Sequence, residues 1–337
     1  MGASLANRES LYEKLEAKVR ENLCLREITS DTLERRGHRN FVWDATQQPT
    51  GSHYFPVYVE LFQRLEQRGE IHPDEHFIVE TTTGNAGAAA AFMAEKLGYD
   101  ILIFMPEDMP EARIDDVRSY LGPNSELRFS EPGEYVCGMV KSLRRFLAQH
   151  RDEGYQGKEI YPLDHSRRSE SIDAIEKAVS TLLKREMPNR LVVTTSVVAL
   201  GNGTSFSGVS RAVQGQNEDA SWIGMEPAES PWFYTQLYGE SSLKEEYGIE
   251  INGDQHEVLG TGGWGVDFPN LDQELVDDIH LVFEHEWRKT LTELHEKGYY
   301  VGHSSAACQV VVKQHSRVNN EEGEVYLSLF YDSINKY

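Results

Sequence analysis

The sequence predicts an α/β fold with a largely parallel sheet. Apolar, β-branched runs alternate with helical runs along the chain, and several helical runs end at a glycine, as at Gly98 and Gly122. Such alternation is typical of strand–helix–strand units whose strands pair in parallel, and glycine commonly follows the last turn of a helix. The 337 residues fill one large or two moderate domains at roughly 150 residues per domain.

The first half of the chain opens with an amphipathic helix. Leu11, Leu15, Val19 and Leu23 recur at intervals of four, which places them on one face of a helix over 9–23. The elements predicted after it are strands over 39–46 and 77–83, a buried strand and a turn over 99–110, and helices over 55–68, 88–98, 111–122 and 134–149. The alanine-rich composition of the helix over 88–98 strongly favours that structure.

The second half continues the same alternation. The predicted elements are strands over 191–200, 221–227 and 324–333 and helices over 171–186, 206–214, 284–297 and 304–315. The segment 239–262 is rich in glycine, aspartate, asparagine and charged residues, and we predict a loop there. The chain shows no internal repeat and no low-complexity stretch.

Charge and composition argue for a protein that works on small molecules. The chain has 33 Lys and Arg against 55 Asp and Glu, a formal net charge of −22. This balance argues against nucleic acid as a partner, because such binding depends on basic surfaces that neutralise phosphates. No window approaches the roughly 18 apolar residues of a membrane helix.

The cysteines and the N-terminal residues indicate which metal sites, disulfides and cellular compartment to expect. Cys24, Cys137 and Cys308 are far apart and form no CxxC pair, so we predict neither a zinc site nor a disulfide framework. The N-terminal residues lack the apolar core of a signal peptide, and Ala6 stands where a myristoylation signal requires Ser or Thr. We therefore expect a cytoplasmic protein with reduced cysteines.

A first candidate loop, TTTGNAG at 81–87, links a predicted strand to the alanine-rich helix. Helix N-termini offer unpaired N–H groups and the positive end of a dipole, which together bind anions. Thr82, Thr83 and Asn85 add polar side chains, and Gly84 allows the backbone to approach a ligand closely. The alternative is a tight strand-to-helix turn that threonine caps.

A second candidate loop, GNGTSFSG at 201–208, again joins a strand to a helix. Its backbone N–H groups and the hydroxyls of Thr204 and Ser205 suit a phosphate. It is not the dinucleotide fingerprint, because Phe206 occupies the position of the last glycine, and no GK[ST] follows as in a P-loop. The alternative is an ordinary glycine-rich turn.

A third segment, PTGSHYF at 49–55, precedes a predicted helix. Gly51 and Ser52 lead into His53 and Tyr54 on its first turn. A histidine beside a tyrosine is usually a packed or surface pair, and a catalytic role is the less common alternative.

The motifs together resemble a known family. In order they are PTGSH, TTGNAG, GNGTSFSG, GMEPAES, LGTGGWGVDFPNLD, VGHSSAA and a terminal YDS, spread over residues 39–337. This order resembles the fold type II pyridoxal-phosphate enzymes of the tryptophan synthase β superfamily, and most closely the cysteine synthase and cystathionine β-synthase branch.

The resemblance implies roles for individual residues. The loop that binds the substrate carboxylate would comprise Thr82, Thr83, Gly84, Asn85 and Ala86, with Asn85 also contacting the ring oxygen of the cofactor. The loop that binds the cofactor phosphate would comprise Gly201, Asn202, Gly203, Thr204 and Ser205. Thr204 replaces a usual glycine. Ser333 matches the residue that hydrogen-bonds the pyridine nitrogen, with Asp332 as the alternative if the register shifts by one.

One departure from the family concerns its Schiff-base lysine. The family places that lysine directly after the position of His53, where this chain has Tyr54. A phenol cannot form an imine, and with a pKa near about 10 it is poorly matched as a base. His53, with a reference pKa of roughly 6.5, is the better proton carrier if it points inward. The nearest lysines in the sequence, Lys18 and Lys96, lie in no motif.

Three interpretations of function remain open. In the first, a cysteine synthase-like enzyme binds pyridoxal phosphate non-covalently, without an internal lysine aldimine. It acts on an amino acid or a derived substrate by lyase or transferase chemistry of the β-elimination and replacement type. In the second, a repurposed biosynthetic enzyme binds another phosphorylated ligand. In the third, the protein is a non-catalytic binding or regulatory paralogue. We favour the first.

The resemblance also implies an architecture. It predicts a homodimer whose protomer has two α/β domains, each a mostly parallel sheet flanked by helices. The smaller, substrate-binding domain would span 49–149, and the larger, cofactor-binding domain would comprise 1–48 plus 150–337. The ligands would lie in the cleft between domains, where such sites are common.

Overall fold

The predicted α/β fold is confirmed by the computed structural model, which describes residues 5–188, 191–249, 256–262, 268–319 and 322–337. The helices are α1 (Leu5–Glu21), α2 (Asp31–Arg35), α3 (Tyr54–Gln67), α4 (Asn85–Leu97), α5 (Glu111–Ser119), α6 (Tyr135–Gln149), α7 (Ser169–Glu186), α8 (Thr204–Gln214), α9 (Trp232–Tyr247), α10 (Glu284–Glu296) and α11 (His303–Val318). The strands are β1 (Leu25–Glu27), β2 (Arg39–Asp44), β3 (His76–Thr81), β4 (Ile101–Pro106), β5 (Glu126–Ser130), β6 (Glu159–Pro162), β7 (Thr195–Ala199), β8 (Ser221–Pro227), β9 (Asp278–Val282) and β10 (Val325–Phe330).

The chain divides into two compact units. Unit 1 comprises Met1–Asn22, Gln48–Ala174 and Lys336–Tyr337, and unit 2 comprises Leu23–Gln47 and Ile175–Asn335. These bounds give unit 1 more of the chain than the predicted range 49–149. Residues after 149 join it because β6 pairs with β3. The first helix joins it because Arg8 forms an ion pair with Glu66.

Unit 1 is built on a parallel sheet. The described strands lie in the order β5-β4-β3-β6, and every pair in it is parallel. All residues of β4 are buried, as expected for a central strand of a parallel sheet covered on both faces. Helices α3, α4 and α6 supply long buried stripes, so the core of unit 1 lies between these helices and the sheet.

Unit 2 has a larger sheet of mixed direction. The described strands lie in the order β1-β2-β10-β7-β8-β9, and β1 pairs antiparallel with β2 while the other pairs are parallel. The central strands β10 and β7 are fully buried. Because these two neighbours are parallel, the segments that follow them emerge at the same edge of the sheet.

The predicted loop over 239–262 is wrong in its first part, because α9 continues to Tyr247 with a non-helical glycine at Gly239. Two causes lie outside the local sequence pattern. The Glu226 carboxylate accepts backbone hydrogen bonds at the start of the helix, and the ring of Tyr234 packs against that of Tyr247. Residues 250–255 of this segment lie outside the described residues. No helix in the described part of the chain is long and apolar enough to cross a membrane.

Candidate functional site

The loop after β3 in unit 1 is shaped by one threonine. Oγ1 of Thr82 accepts hydrogen bonds from the N–H groups of Gly84 and Gly87, both at 2.8 Å. Gly84 has a φ of 139°, which favours glycine, and a Cβ on Gly87 would lie 2.4 Å from Cγ2 of Thr82. This cap starts α4 at Asn85, earlier than the predicted residue 88. The alternative interpretation of this loop was a strand-to-helix turn capped by threonine, and the two hydrogen bonds to Thr82 provide that cap. The same loop is the one expected to bind a carboxylate.

A buried arginine that the sequence analysis missed supports this loop. Arg113 is 2% exposed, and its Nη1 donates to the carbonyl oxygen of Thr83 at 3.3 Å. The guanidinium carbon lies 4.4 Å from the centre of the Tyr337 ring, a cation–π distance. A permanent positive charge therefore lies beside Thr83 and Gly84, which favours an anion at this loop.

The segment PTGSHYF leads into the buried helix α3, which begins at Tyr54. Pro56 lies in its first turn, where a missing N–H leaves no helical bond unmade. The rings of His53 and Tyr54 are 4.2 Å apart, and His53 is 6% exposed. The adjacent Ser52 is fully buried, and its hydroxyl has no hydrogen-bond partner among the described residues.

One lysine reaches this segment from the far end of the sequence. Lys336 is buried, and its Nζ donates to the carbonyl oxygen of Thr50 at 2.8 Å and pairs with Oδ2 of Asp116 at 2.7 Å. The lysines nearest in sequence, Lys18 and Lys96, are both exposed. Sequence distance could not reveal Lys336, because 286 residues separate it from Thr50.

The glycine-rich loop after β7 in unit 2 is closely packed. A Cβ on Gly203, whose φ is +83°, would lie 2.3 Å from the backbone nitrogen of Leu271. A Cβ on Gly201 would lie 2.1 Å from the carbonyl oxygen of Gly260. Both positions therefore require glycine, and the backbone of this loop is held against the segment 256–262 and the segment from 268 onward.

Polar contacts fix the start of helix α8. Oδ1 of Asn202 accepts from the N–H of Thr204 at 3.1 Å, and Nδ2 of Asn270 donates to Oγ1 of Thr204 at 2.9 Å. The N–H groups of Ser205 and Phe206, in the same first turn, have no backbone or side-chain acceptor among the described residues. The hydroxyl of Thr204, the residue that stands where the family usually has glycine, is therefore held by Asn270. Asn270 belongs to the motif LGTGGWGVDFPNLD, of which residues 263–267 lie outside the described residues.

Ser333 lies at the same sheet edge as this loop. It follows β10, the parallel neighbour of β7, and forms an isolated bridge with Val301. Its Oγ accepts from the N–H of Asn335 at 3.2 Å, while Asp332 is 1% exposed. Unit 2 therefore brings the predicted phosphate loop and the predicted ring-nitrogen partner to one edge, and unit 1 carries the predicted substrate loop together with His53 and Tyr54.

Comparison with known proteins identifies what the chain is similar to. A family model described as pyridoxal-phosphate dependent enzyme matches residues 28–332. The chain is 27% identical over 245 residues to cysteine synthase A of Escherichia coli (strain K12), covering 72% of this chain and 69% of that protein. It is 24% identical over 185 residues to a cysteine synthase of Staphylococcus aureus (strain Mu50 / ATCC 700699), covering 55% and 56% of the two chains.

Solved structures show the same fold. A hydrogen sulfide-producing enzyme from Fusobacterium nucleatum superposes with a TM-score of 0.77 at 22% identity, over 95% of this chain and 97% of that chain. An O-acetylserine dependent cystathionine β-synthase from Helicobacter pylori superposes with a TM-score of 0.78 at 19% identity, over 95% and 96%. The likeness extends over nearly the whole of each chain.

Proposed function

Because the chain belongs to the family of pyridoxal-phosphate-dependent enzymes, we propose that it binds pyridoxal phosphate without a covalent bond to lysine. Its substrate is then an amino acid or a compound derived from one. The observation that carries this proposal is Tyr54 at the first position of α3, directly after His53, where the resemblance places the family's lysine.

The residues of unit 2 fit the phosphate end of this cofactor. The closely packed Gly201 and Gly203 fix the backbone that leads into α8, and the N–H groups of Ser205 and Phe206 lie in the first turn of this helix. Helix N-termini of this kind bind phosphate through N–H groups and the helix dipole. Ser333, on the neighbouring strand end, supplies a neutral hydroxyl for the pyridine nitrogen in this proposal.

The residues of unit 1 fit the substrate. Asn85 and Ala86 form the start of α4, and the Arg113 guanidinium lies against Thr83. A carboxylate placed at this loop would meet a helix N-terminus and a nearby positive charge, both of which stabilise an anion. Thr82 acts mainly on the loop itself, because its hydroxyl oxygen already accepts two backbone hydrogen bonds.

Proton transfer falls to the side chains that follow Ser52. Bound pyridoxal phosphate supplies an electron-withdrawing ring that stabilises negative charge on a substrate carbon. Without a lysine at this position, the imidazole of His53 and the phenol of Tyr54 are the groups that can hold and move the substrate proton. Imidazole, with a reference pKa of about 6.5, exchanges protons readily near neutral pH.

A titration with pyridoxal phosphate tests the proposal. We expect the cofactor to raise the melting temperature of the protein, since a ligand that binds only the folded state stabilises it by mass action. Gly203→Ala should weaken binding by at least about tenfold, or about 1.4 kcal/mol, because its Cβ would displace the loop. Gly215→Ala is the matched control, since a Cβ there meets only the Arg211 and Ala212 carbonyl oxygens at 3.5 and 3.7 Å.

The same titration separates the alternatives. Tighter binding of another phosphate ester than of pyridoxal phosphate would favour a repurposed scaffold and overturn the proposal. So would the absence of any binding in the wild-type protein. Light scattering on these samples tests the predicted homodimer independently of the cofactor.

A further inference from the structure

Unit 1 contains a buried group of ionisable side chains that the family motifs do not include. Glu80, at the end of β3, is 1% exposed, Tyr58 on α3 is fully buried, and His165 after β6 is 6% exposed. Oε2 of Glu80 accepts from the Tyr58 hydroxyl at 3.0 Å. Nδ1 of His165 lies 3.0 Å from the same hydroxyl and 3.2 Å from Oε2 of Glu80.

These distances determine the tautomer of the imidazole. A carboxylate oxygen can only accept hydrogen bonds, so the Tyr58 hydroxyl donates its proton to Glu80. Nδ1 of His165 then faces two oxygens, and it is stabilised there only as a donor. The proton of a neutral His165 is therefore on Nδ1, and Nε2 is the nitrogen able to accept another.

This histidine lies beside the tyrosine that replaces the lysine. The ring centres of Tyr54 and His165 are 5.3 Å apart, with the ring planes at 88°. The charged and titratable groups around His165 are Glu80 from β3, Tyr54 and Tyr58 from α3, and Asp164 and Arg167 from its own segment. Glu80 and Tyr58 therefore hold the imidazole beside Tyr54 through its Nδ1 atom.

We propose that His165, held by Glu80 and Tyr58, is a positioning residue that accepts the hydroxyl proton of Tyr54. This inference rests on the proposed function. Nε2 of His165 takes the phenol proton, and the resulting phenolate oxygen takes the proton from the substrate α-carbon, whose electron pair stays behind. Both protons return by the reverse path. The arrangement removes the difficulty that a phenol alone, with a pKa near about 10, is a poor base.

The first experiment needs no cofactor. Nitrogen NMR of the histidine side chains, with His165 assigned from the His165→Gln spectrum, should show the proton on Nδ1. Glu80→Gln should move it to Nε2, because the glutamine amide can donate a hydrogen bond to Nδ1. An Nε2-protonated imidazole in the wild-type protein, or a tautomer that Glu80→Gln does not change, would overturn the inference.

The second experiment uses the protein with pyridoxal phosphate and L-alanine in deuterated water. We expect the wild-type protein to exchange the α-proton of alanine for deuterium. In His165→Gln this exchange should be slower by at least about tenfold, while the affinity of the variant for pyridoxal phosphate should differ from that of the wild type by less than about twofold. The limb of the pH profile that reports the accepting base should also shift in Glu80→Gln. His150→Gln is the control, because His150 also packs between aromatic rings in unit 1 but lies outside this group.

The outcomes separate the two proposals. If wild-type protein binds no pyridoxal phosphate, the proposed function fails, and the NMR result still decides the state of the Glu80–His165 pair. If the protein binds the cofactor and exchanges the α-proton at the same rate in His165→Gln and in the wild type, the inference about His165 fails while the proposed function stands.

Discussion

The ammonium nitrogen of Lys336 lies 2.8 Å from the carbonyl oxygen of Thr50, four residues before Tyr54. The same nitrogen pairs with Asp116 on α5. This buried side chain therefore donates to both a carbonyl oxygen and a carboxylate. Lys336 therefore holds the PTGSHY segment to α5, and its nitrogen already contacts two hydrogen-bond acceptors.

Replacement of Lys336 tests this structural role. Lys336→Met leaves Asp116 and the Thr50 carbonyl without their donor, and we expect the free energy of unfolding to fall by about 1–3 kcal/mol. Lys297→Met is the matched control, because Lys297 also donates to a threonine carbonyl but is exposed, and it should cost less than about 0.5 kcal/mol. Urea unfolding measures both. Equal effects of the two substitutions would contradict the assignment.

Glu226 gives a prediction about pH. It is fully buried, and its two carboxylate oxygens accept from the N–H groups of Phe233 and Tyr234 at the start of α9. Burial raises the pKa of Glu226 from 4.5 to about 8. A folded pKa above the unfolded one means that the stabilising contribution is complete below the unfolded pKa and is lost as pH rises through the folded pKa.

We therefore expect Glu226 to lower the free energy of unfolding as the pH rises from its unfolded pKa of 4.5 to its folded pKa of about 8. The loss is up to about 1.4 kcal/mol per pH unit. Glu226→Gln removes the titration but keeps one oxygen acceptor. Urea unfolding of both proteins between about pH 5 and pH 8 should show the wild type losing stability relative to the variant. Parallel stability curves for the two proteins would contradict this expectation.

Much of the fold follows from local patterns. The strand SWIGMEP was predicted at the bounds of β8, and helices such as α6 and α10 differ from their predicted ranges by about one residue. The family and its cysteine synthase branch were also predicted from motif order. These features are local in sequence, or depend only on the order of short motifs, and such signals can be read without coordinates.

What the sequence did not reveal depends on contacts between distant residues. The helix α9 is capped by Glu226 from another element, and Lys336 reaches Thr50 from 286 residues away. Arg113 and His165 stand in no motif, and their importance comes from burial beside Thr83 and Tyr54. Short or edge strands such as β1 lack enough residues for a periodic pattern, so only pairing defines them.

Tyr54→Lys tests how far the rest of the site has been retained. If the surroundings still match the family, the introduced amine should react with the aldehyde of pyridoxal phosphate and give a visible absorption band that the wild type lacks. Borohydride should then fix the cofactor to residue 54. Tyr54→Met, which removes the phenol and adds no amine, is the control. A colourless Tyr54→Lys protein would show that the site has diverged beyond this one position.

The most direct test of the central claim is mass spectrometry of wild-type protein that has been saturated with pyridoxal phosphate, reduced with borohydride and digested. We predict that the cofactor binds but that no lysine peptide carries its mass, while the Tyr54→Lys protein treated in parallel is labelled at residue 54. A wild-type adduct on a lysine, with Lys336 the foremost candidate from its position beside Thr50, would contradict the account.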